Sequence, residues 1–402
     1  MKNAIGLLKT IDKPAFMSII YVTYRAMLTV LTYRIGDFML DKLKEARRMI
    51  NEIDREMAEL FVKRMRAAEI VAAYKGENGL PILDEAREEE LIKVNSTYIE
   101  DEVLLEYYVS FIKSNMEISR RYQSRLLEGM KVAYCGTVGA YAHLAARKHF
   151  PYSTQVAYPS FSAAYEAVVN GECDVAVLPV ENSFQGDVGQ VTDLMFSGNL
   201  YVNSMFDMAI SHDLLAPVGA TLEDIRTVVS HPQALGQCRD LITERGYATI
   251  EYSNTALAAE YVANKGDKTV GAIASEEASE IFGLAVLERN INSARNNTTR
   301  FAVFSRVMNQ HSSKEMGVCS IILFTVRNEA GALARAIEII GRHGFNMRSL
   351  RSRPMKELLW QYYFYVEAEG NINTDEGRAM LEELELHCDR LSAVGTFTKR
   401  EI

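Results

Sequence analysis

The 402-residue chain is poor in helix breakers and in the residues that carry redox or metal chemistry. Its eight prolines leave long stretches free of interruption, and Trp360 is the single tryptophan. Five cysteines (Cys135, Cys173, Cys238, Cys319 and Cys388) are odd in number, scattered and without a CxxC pair. That pattern argues against a disulfide framework and against a metal site, and for reduced thiols in a cytoplasmic protein. Neither GxGxxG nor GxxxxGK(S/T) occurs, so a nicotinamide dehydrogenase or a P-loop enzyme is not indicated. Positive charge is not in excess: 44 Lys and Arg against 53 Asp and Glu leave a net charge of −9. A nucleic-acid partner would ask for a basic footprint instead. A clean, long apolar run is also missing. Segment 16–33 is apolar and β-branched but carries Arg25 and has no small-residue cleavage site, a poor match to a membrane span or a signal peptide. Met39 directly precedes the first amphipathic run, so residues 1–38 read as a leader of doubtful function, with membrane association as the rival and no membrane partner expected.

What the chain does have is a helix-like run over residues 40–75. Leu43, Ala46, Ile50, Ile53, Met57, Leu60, Phe61, Ala67 and Val71 recur at the three-to-four spacing of an amphipathic helix. Arg64 and Lys75 lie roughly 20° apart around such a helix at ~100° per residue, so they share a face. Arg47 lies roughly 25 Å up the axis at ~1.5 Å per residue and cannot reach a ligand those two share. An antiparallel copy would bring a second Arg47 back to them, which points to a symmetric dimer with composite cationic pockets for an anion. Gly76, Gly79 and Pro81 then turn the chain, and Asp84 is placed to cap a second helix. A third helix is predicted over 101–127, with Val103, Leu104, Tyr107, Tyr108, Phe111, Ile112 and Met116 on its inner side and Ser119 and Gln123 facing one way. Three helices of unequal length make a poor monomeric core and a good interlocked dimer.

The order Arg47, Arg64, Lys75, Asp84, Arg87-Glu88, Ser119, Gln123, with Pro81 at the turn, resembles the all-helical chorismate mutases over about residues 40–125. The resemblance implies that Arg64 and the partner's Arg47 clamp the two carboxylates of chorismate, with Ser119 assisting and Arg87 nearby. It further implies that Lys75 and Gln123 address the ether oxygen whose bond to carbon breaks, while Glu88 and the backbone near Asp84 hold the ring hydroxyl. The chemistry is consistent with that set. A Claisen rearrangement needs no nucleophile or proton transfer, only a folded conformer and donors aimed at charge developing on oxygen.

From Lys131 short β-type runs alternate with helices. Buried strands are predicted at 131–135, 174–180, 227–230, 249–252 and 270–274, and helices at 141–149, 161–169, 233–245, 256–264 and 276–282. That alternation predicts a two-lobed α/β domain, whose ligands bind at the carboxyl ends of strands. Polar clusters fall at those ends: Gly136 to Tyr141, Glu181-Asn182-Ser183, Ser230-His231-Pro232-Gln233, Ser253-Asn254-Thr255 and Asn296 to Phe301. Together, Gly136…Gly139…Tyr141, Pro179-Val180-Glu181-Asn182-Ser183 with Gly186, Ser230-His231-Pro232-Gln233 with Gln237, and Thr299-Arg300-Phe301 resemble prephenate dehydratase over about residues 130–308. The resemblance implies that Thr299 hydrogen-bonds to or protonates the leaving ring hydroxyl of prephenate. Arg300, Asn182, Ser230 and Gln237 would hold the carboxylates and side chain, and Glu181 and Ser183 complete the predicted prephenate set. His231, beside Pro232, reads as structural rather than as a proton donor.

After a polar linker at 309–315, the order β-α-β-β-α-β marks a ferredoxin-like unit. It resembles the ACT domains attached to prephenate dehydratases, with Gly331-Ala332-Leu333 and Ser352-Arg353-Pro354 as signature segments and Trp360 and Phe364-Tyr365 as further family-like features. By that resemblance the six signature residues bind L-phenylalanine between two such domains. The chain departs at Arg351, where the family usually has glutamate, a swap that bears on effector affinity or on its transmission.

The sequence therefore predicts a multidomain enzyme: a leader (1–38), an all-α three-helix mutase unit (39–128), a two-lobed α/β dehydratase (129–308) and an α+β ACT domain (316–400). It would convert chorismate to prephenate and prephenate to phenylpyruvate, without metal or organic cofactor, as a homodimer or higher homo-oligomer with L-phenylalanine as effector. Two rivals are an amino-acid-sensing binding protein without catalysis, and a mutase joined to an arogenate dehydratase.

Overall fold

The computed structural model describes residues 13–294, 296–310, 317–355 and 361–401. Trp360, residues 1–12 of the predicted leader and most of the predicted linker lie outside them. The chain divides into two compact units between Leu127 and Glu128.

The first unit holds α1 (Lys13–Glu77), α2 (Glu85–Ser96) and α3 (Glu102–Glu128). Helix α1 is 65 residues long and begins well before the predicted start at 40. Pro14 sits in its first turn, where the missing N–H is tolerated, and Gly36 alone weakens the run before Gly76. Asp84 caps α2 as predicted, accepting the Arg87 backbone N–H at 3.1 Å. Among the described residues, the buried apolar side chains of this unit are few: Met65, Ala68 and Ala72 of α1 and Met116 of α3. The predicted inner side of α3 is buried only toward its C-terminal half. Val103 and Tyr107 are each 70% exposed, and Leu104 and Phe111 are exposed with them. On α1, Ile50, Ile53, Met57, Leu60 and Phe61 form a matching uncovered row.

The second unit opens with β1 (Lys131–Cys135), α4 (Tyr141–His149), β2 (Thr154–Tyr158), α5 (Phe161–Val169), β3 (Val175–Asn182), β4 (Gly186–Asp187), α6 (Gly189–Ser197) and β5 (Tyr201–Ala209). A second lobe follows: β6 (Asp213–Pro217), β7 (Thr227–Ser230), α7 (Pro232–Gln237), α8 (Arg239–Arg245), β8 (Ala248–Glu251), α9 (Thr255–Lys265), β9 (Val270–Ala274), α10 (Glu276–Phe282) and β10 (Leu284–Glu288). Strand β11 (Thr298–Ser305) then returns to the first lobe. The second lobe is a five-stranded sheet in the order β10-β6-β9-β7-β8. Strand β8, predicted buried, is the exposed edge of that sheet. The helix predicted over 233–245 breaks at Cys238, whose φ of −110° and ψ of 22° leave the helical range. Among the elements absent from the sequence prediction, β6 begins at a buried aspartate and ends at Pro217, and β4 has only two residues.

The chain crosses between the lobes twice, from β5 to β6 and from β10 to β11, and the two crossovers are zipped together. The Ile291 N–H donates to the His212 carbonyl at 2.8 Å, and the Ile210 N–H to the Asn297 carbonyl at 2.8 Å. Side chains reinforce the join: Asn292 Oδ1 accepts the His212 N–H at 2.6 Å, and Ser211 Oγ donates to Asn290 Oδ1 at 2.6 Å. Asn290 takes a φ of 54°, a left-handed value that asparagine tolerates.

The chain ends in β12 (Val318–Thr325), α11 (Ala332–Arg342), β13 (Asn346–Pro354), β14 (Tyr362–Glu369), α12 (Asp375–Glu385) and β15 (Arg390–Glu401). The antiparallel strand order β13-β14-β12-β15 is the predicted ferredoxin-like arrangement. Strand β15 also pairs in parallel with β5, so this sheet and the first lobe's share one continuous hydrogen-bonded surface in the order β13-β14-β12-β15-β5-β11-β3-β1-β2.

Candidate active sites

In the helical unit, a pocket of about 270 Å³ is lined by Arg64, Lys75, Asp84, Arg87, Glu88, Ser119 and Gln123, seven of the eight residues that the sequence assigned to chorismate. The eighth, Arg47, is exposed and does not line it. Three charges in the pocket already have partners. Asp84 caps α2, Arg87 bonds Glu90 at 2.5 Å, and Glu88 pairs with Arg120. Arg64 bonds Ser119 Oγ and the Asn115 carbonyl (3.3 Å), and Lys75 donates to the Ile82 carbonyl at 2.5 Å. Neither cation has a carboxylate partner among the described residues. Burial lowers the Arg64 pKa, yet a guanidinium stays charged under any ordinary condition. The Gln123 carbonyl oxygen is buried without a partner, so the protein does not fix that amide and its N–H2 can turn to a ligand oxygen. The pocket offers two anion-seeking cations and a movable amide.

The second site lies where β3 and β11 meet the crossovers. Asn182, at the carboxyl end of β3, is anchored first: its Oδ1 accepts the backbone N–H groups of Phe184 (3.0 Å) and Gln185 (3.1 Å). Its Nδ2 therefore points the other way, donating to Thr299 Oγ1 and Asn297 Oδ1, both at 3.0 Å. Asn297 Nδ2 donates to Gln237 Oε1 at 2.9 Å, and His212 Nε2 reaches the same oxygen at 2.8 Å. The Tyr141 hydroxyl lies 2.8 Å from His212 Nδ1 and 2.5 Å from the Ser211 carbonyl, two acceptors that share its one proton. Burial pushes the His212 pKa down, opposed by its bond to Gln237, and burial pushes the Tyr141 pKa far up. Gly139, in the loop before α4, needs its positive φ of 87°, and a Cβ there would press on Ala256 and Phe282 of the second lobe.

Of the predicted prephenate residues, the structure brings Asn182, Gln237 and Thr299 into one network. Ser183 braces it, donating from Oγ to the Asn296 carbonyl (2.9 Å) and accepting the Thr298 N–H (3.0 Å). Ser230 is fully buried and its hydroxyl donates to the Ile273 carbonyl at 2.5 Å. His231 caps α7 through the Gln233 N–H, the structural part expected of it. Arg300 and Glu181 are not brought to Thr299. Side chains alternate along β11, so Arg300 projects to the opposite face of the sheet. There it bonds Asp207 at 2.9 Å and lies 3.5 Å from Glu367 and 3.7 Å from Glu181. Burial alone would lower the Arg300 pKa, but these three carboxylates raise it.

The residues missed from sequence are His212, Asn297 and Tyr141 in their bonding roles. His212 carries little sequence signal because Ser211-His212-Asp213 is a short polar break between two apolar stretches and matches no motif.

The predicted effector segments flank separate cavities. Leu333 lines one of about 470 Å³ with Asn328, Phe364 and Arg390; Pro354 lines one of about 600 Å³ with Phe161, Phe196 and Tyr363. Gly331 takes a φ of 83° at the start of α11, and Ala332 is buried behind it. Ser352 pairs with Phe364 across β13 and β14. Arg353 reaches Asp187 (2.7 Å) and Asp193 (3.2 Å). Arg351 reaches Glu181 (2.7 Å) and Asp187 (3.3 Å), so the cation at the family's glutamate position faces two carboxylates from β3 and β4.

Three family profiles match the chain in order: Chorismate mutase type II over residues 46–124, Prephenate dehydratase over 132–309 and ACT domain over 320–385. A bifunctional chorismate mutase/prephenate dehydratase of Aquifex aeolicus is 30% identical over 373 residues, 90% of this chain and 99% of its own. An arogenate dehydratase/prephenate dehydratase 2 (chloroplastic) of Arabidopsis thaliana is 32% identical over 277 residues, 67% of this chain and 72% of its own. Among solved structures, GqqA, described as a novel type of quorum quenching acylase, matches with a TM-score of 0.63 and 32% identity, over 67% of this chain and 98% of its own.

Because Arg351 sits between Glu181 and Asp187, Arg351→Glu would set three carboxylates together. The substitution is expected to lower the thermal midpoint of the second unit by several degrees, with part of the loss recovered in high salt. Calorimetry in low and high salt measures both.

Proposed function

The chain belongs to the family of bifunctional chorismate mutase/prephenate dehydratases, and on that premise we propose how its own residues divide the two reactions. In the helical pocket, Arg64 takes one carboxylate of chorismate and Lys75 and Gln123 take the ether oxygen. Asp84, Arg87, Glu88 and Ser119 shape the rest of the pocket. The two cations without carboxylate partners support this assignment, because a ligand offering one carboxylate to Arg64 and an ether oxygen to Lys75 would satisfy both. The rearrangement then needs only the folded conformer and donors matched to charge growing on the ether oxygen.

The second carboxylate calls for Arg47 of another copy. A second chain laid antiparallel along α1 supplies it and also covers the apolar rows on α1 and α3. The functional state of the helical unit is therefore a homodimer.

In the two-lobed domain, Thr299 is the proton donor to the leaving ring hydroxyl of prephenate. The observation that carries this is the Asn182–Thr299 bond. Asn182 Nδ2 can only donate, so Thr299 Oγ1 accepts, and the threonine's own proton is left for the substrate. The bond from ring carbon to carboxylate breaks as carbon dioxide leaves. Its electron pair becomes part of the aromatic ring, the departing hydroxide takes the Thr299 proton to leave as water, and a solvent water returns a proton to Thr299, so that the hydroxide equivalent ends in solvent. Aromatisation supplies the drive, and the site positions the substrate and solvates the leaving group. The Gln237 N–H2, which makes no hydrogen bond among the described residues, faces the substrate's side-chain oxygens. Ser183 and Ser230 hold the scaffold around these groups. Arg300 and Glu181 tie the catalytic strands to the C-terminal domain and do not hold a carboxylate. Neither reaction calls for a metal or an organic cofactor. The enzyme works in the cytoplasm, and L-phenylalanine is the effector, held by the Gly331–Leu333 and Ser352–Pro354 segments. The relative named for arogenate supports a second reading, in which the dehydratase also accepts arogenate.

Given chorismate, the wild type is expected to form phenylpyruvate. Arg64→Ala should convert only added prephenate, and Thr299→Ala should stop at prephenate with dehydration slowed about 10²-fold or more. Mixing Arg47→Ala and Arg64→Ala chains should restore mutase activity, since a heterodimer rebuilds one complete pocket. If mixed chains stay inactive after subunit exchange, the composite pocket is wrong. Two further assays check the remaining roles. Turnover of prephenate against arogenate decides the second substrate. Millimolar L-phenylalanine should slow dehydration, and the effector role falls if activity, stability and oligomeric state all stay unchanged.

A further inference from the structure

We infer that His212 is a positioning residue for the dehydration step, fixing the Gln237 amide so that its N–H2 points to the substrate. The inference rests on the dehydratase assignment above and extends it to a residue that does not itself touch substrate.

The argument is one of donors and acceptors. The backbone N–H groups of Phe184 and Gln185 can only donate, so the Asn182 oxygen faces them and its N–H2 faces Asn297. Asn297 must then turn its oxygen to Asn182 and its N–H2 to Gln237. Gln237 must present its oxygen, and the imidazole nitrogen 2.8 Å from that oxygen must carry a proton. One orientation is thus imposed through three amides in series and selects the Nε2–H form of His212. The ring has little freedom to answer otherwise. His212 is 2% exposed, and both its backbone N–H and its carbonyl are held by the second crossover at Asn292 and Ile291.

On the far side, Tyr141 has one hydroxyl proton for two acceptors, the Ser211 carbonyl and His212 Nδ1. Nδ1 can accept there without a proton of its own, which suits a neutral imidazole in a buried place. The Gln237 oxygen is thereby saturated by two donors, and rotation of its amide would break both bonds. Because His212 approaches from one crossover and Asn297 from the other, the bond holds only while the two crossovers stay zipped.

The test measures kcat/KM for prephenate in the full chain, with chorismate turnover and the thermal midpoint as controls. His212→Phe keeps the ring's bulk and loses the donor; it should slow dehydration about tenfold, the effect of one misplaced hydrogen bond, and leave chorismate turnover unchanged. His212→Gln, which can return an N–H to the Nε2 position, should recover most of the loss. In a double-mutant cycle, His212→Phe added to Gln237→Ala should cost little more than Gln237→Ala alone, because the histidine acts through the glutamine. If His212→Phe unfolds the second unit, His212→Met carries the same comparison. Fully multiplicative losses, or a His212→Gln variant no better than His212→Phe, would overturn the inference while leaving Thr299 and Gln237 in place. A Gln237→Ala variant with wild-type turnover would instead overturn the dehydratase assignment beneath it.

Discussion

The anchoring of the Asn182 amide by two backbone N–H groups is the constraint from which the dehydratase site takes its polarity. Backbone amides cannot reverse, so a side-chain amide bound to two of them has one orientation. Everything downstream inherits a direction: Thr299 Oγ1 accepts from Asn182, and Gln237 Oε1 accepts from Asn297. The same network depends on the fold, because Asn182 and Thr299 belong to one lobe while Gln237 belongs to the other.

Strand β11 carries two tasks through the alternation of its side chains. Thr299 faces the catalytic network, and its neighbour Arg300 faces a nest of carboxylates that reaches Glu367 of the ferredoxin-like domain. Arg351 and Arg353 reach back across the same junction to Glu181, Asp187 and Asp193. Glu181 is the residue before Asn182, so the C-terminal domain is ion-paired one peptide away from the group that orients the site. Charge pairs this well hydrogen-bonded are costly to break singly, which makes the junction a stiff connection.

Much of this was legible in the sequence. The three-domain order and the capping of α2 by Asp84 follow from helical spacing, turn chemistry and resemblance, and seven of the eight residues assigned to chorismate line one pocket. Side-chain direction at the irregular ends of strands was not legible. Arg300 follows Thr299 directly, and only the pleat separates their faces. The role of His212 has no local signal because its partners come from residues 141, 237, 291 and 292, which are brought together by a double crossover that no local pattern records. The helical spacing of apolar residues on α1 and α3 marks their stripes, and a single chain leaves those rows uncovered.

The most direct test of the amide polarity is the tautomer of His212, read by long-range nitrogen–proton NMR of the full chain with labelled histidine. The account predicts a neutral ring protonated at Nε2, with Nδ1 bare toward Tyr141. A ring protonated only at Nδ1 would require Gln237 to present its N–H2 to the histidine. That would reverse the amide series and contradict the placement of the Thr299 proton.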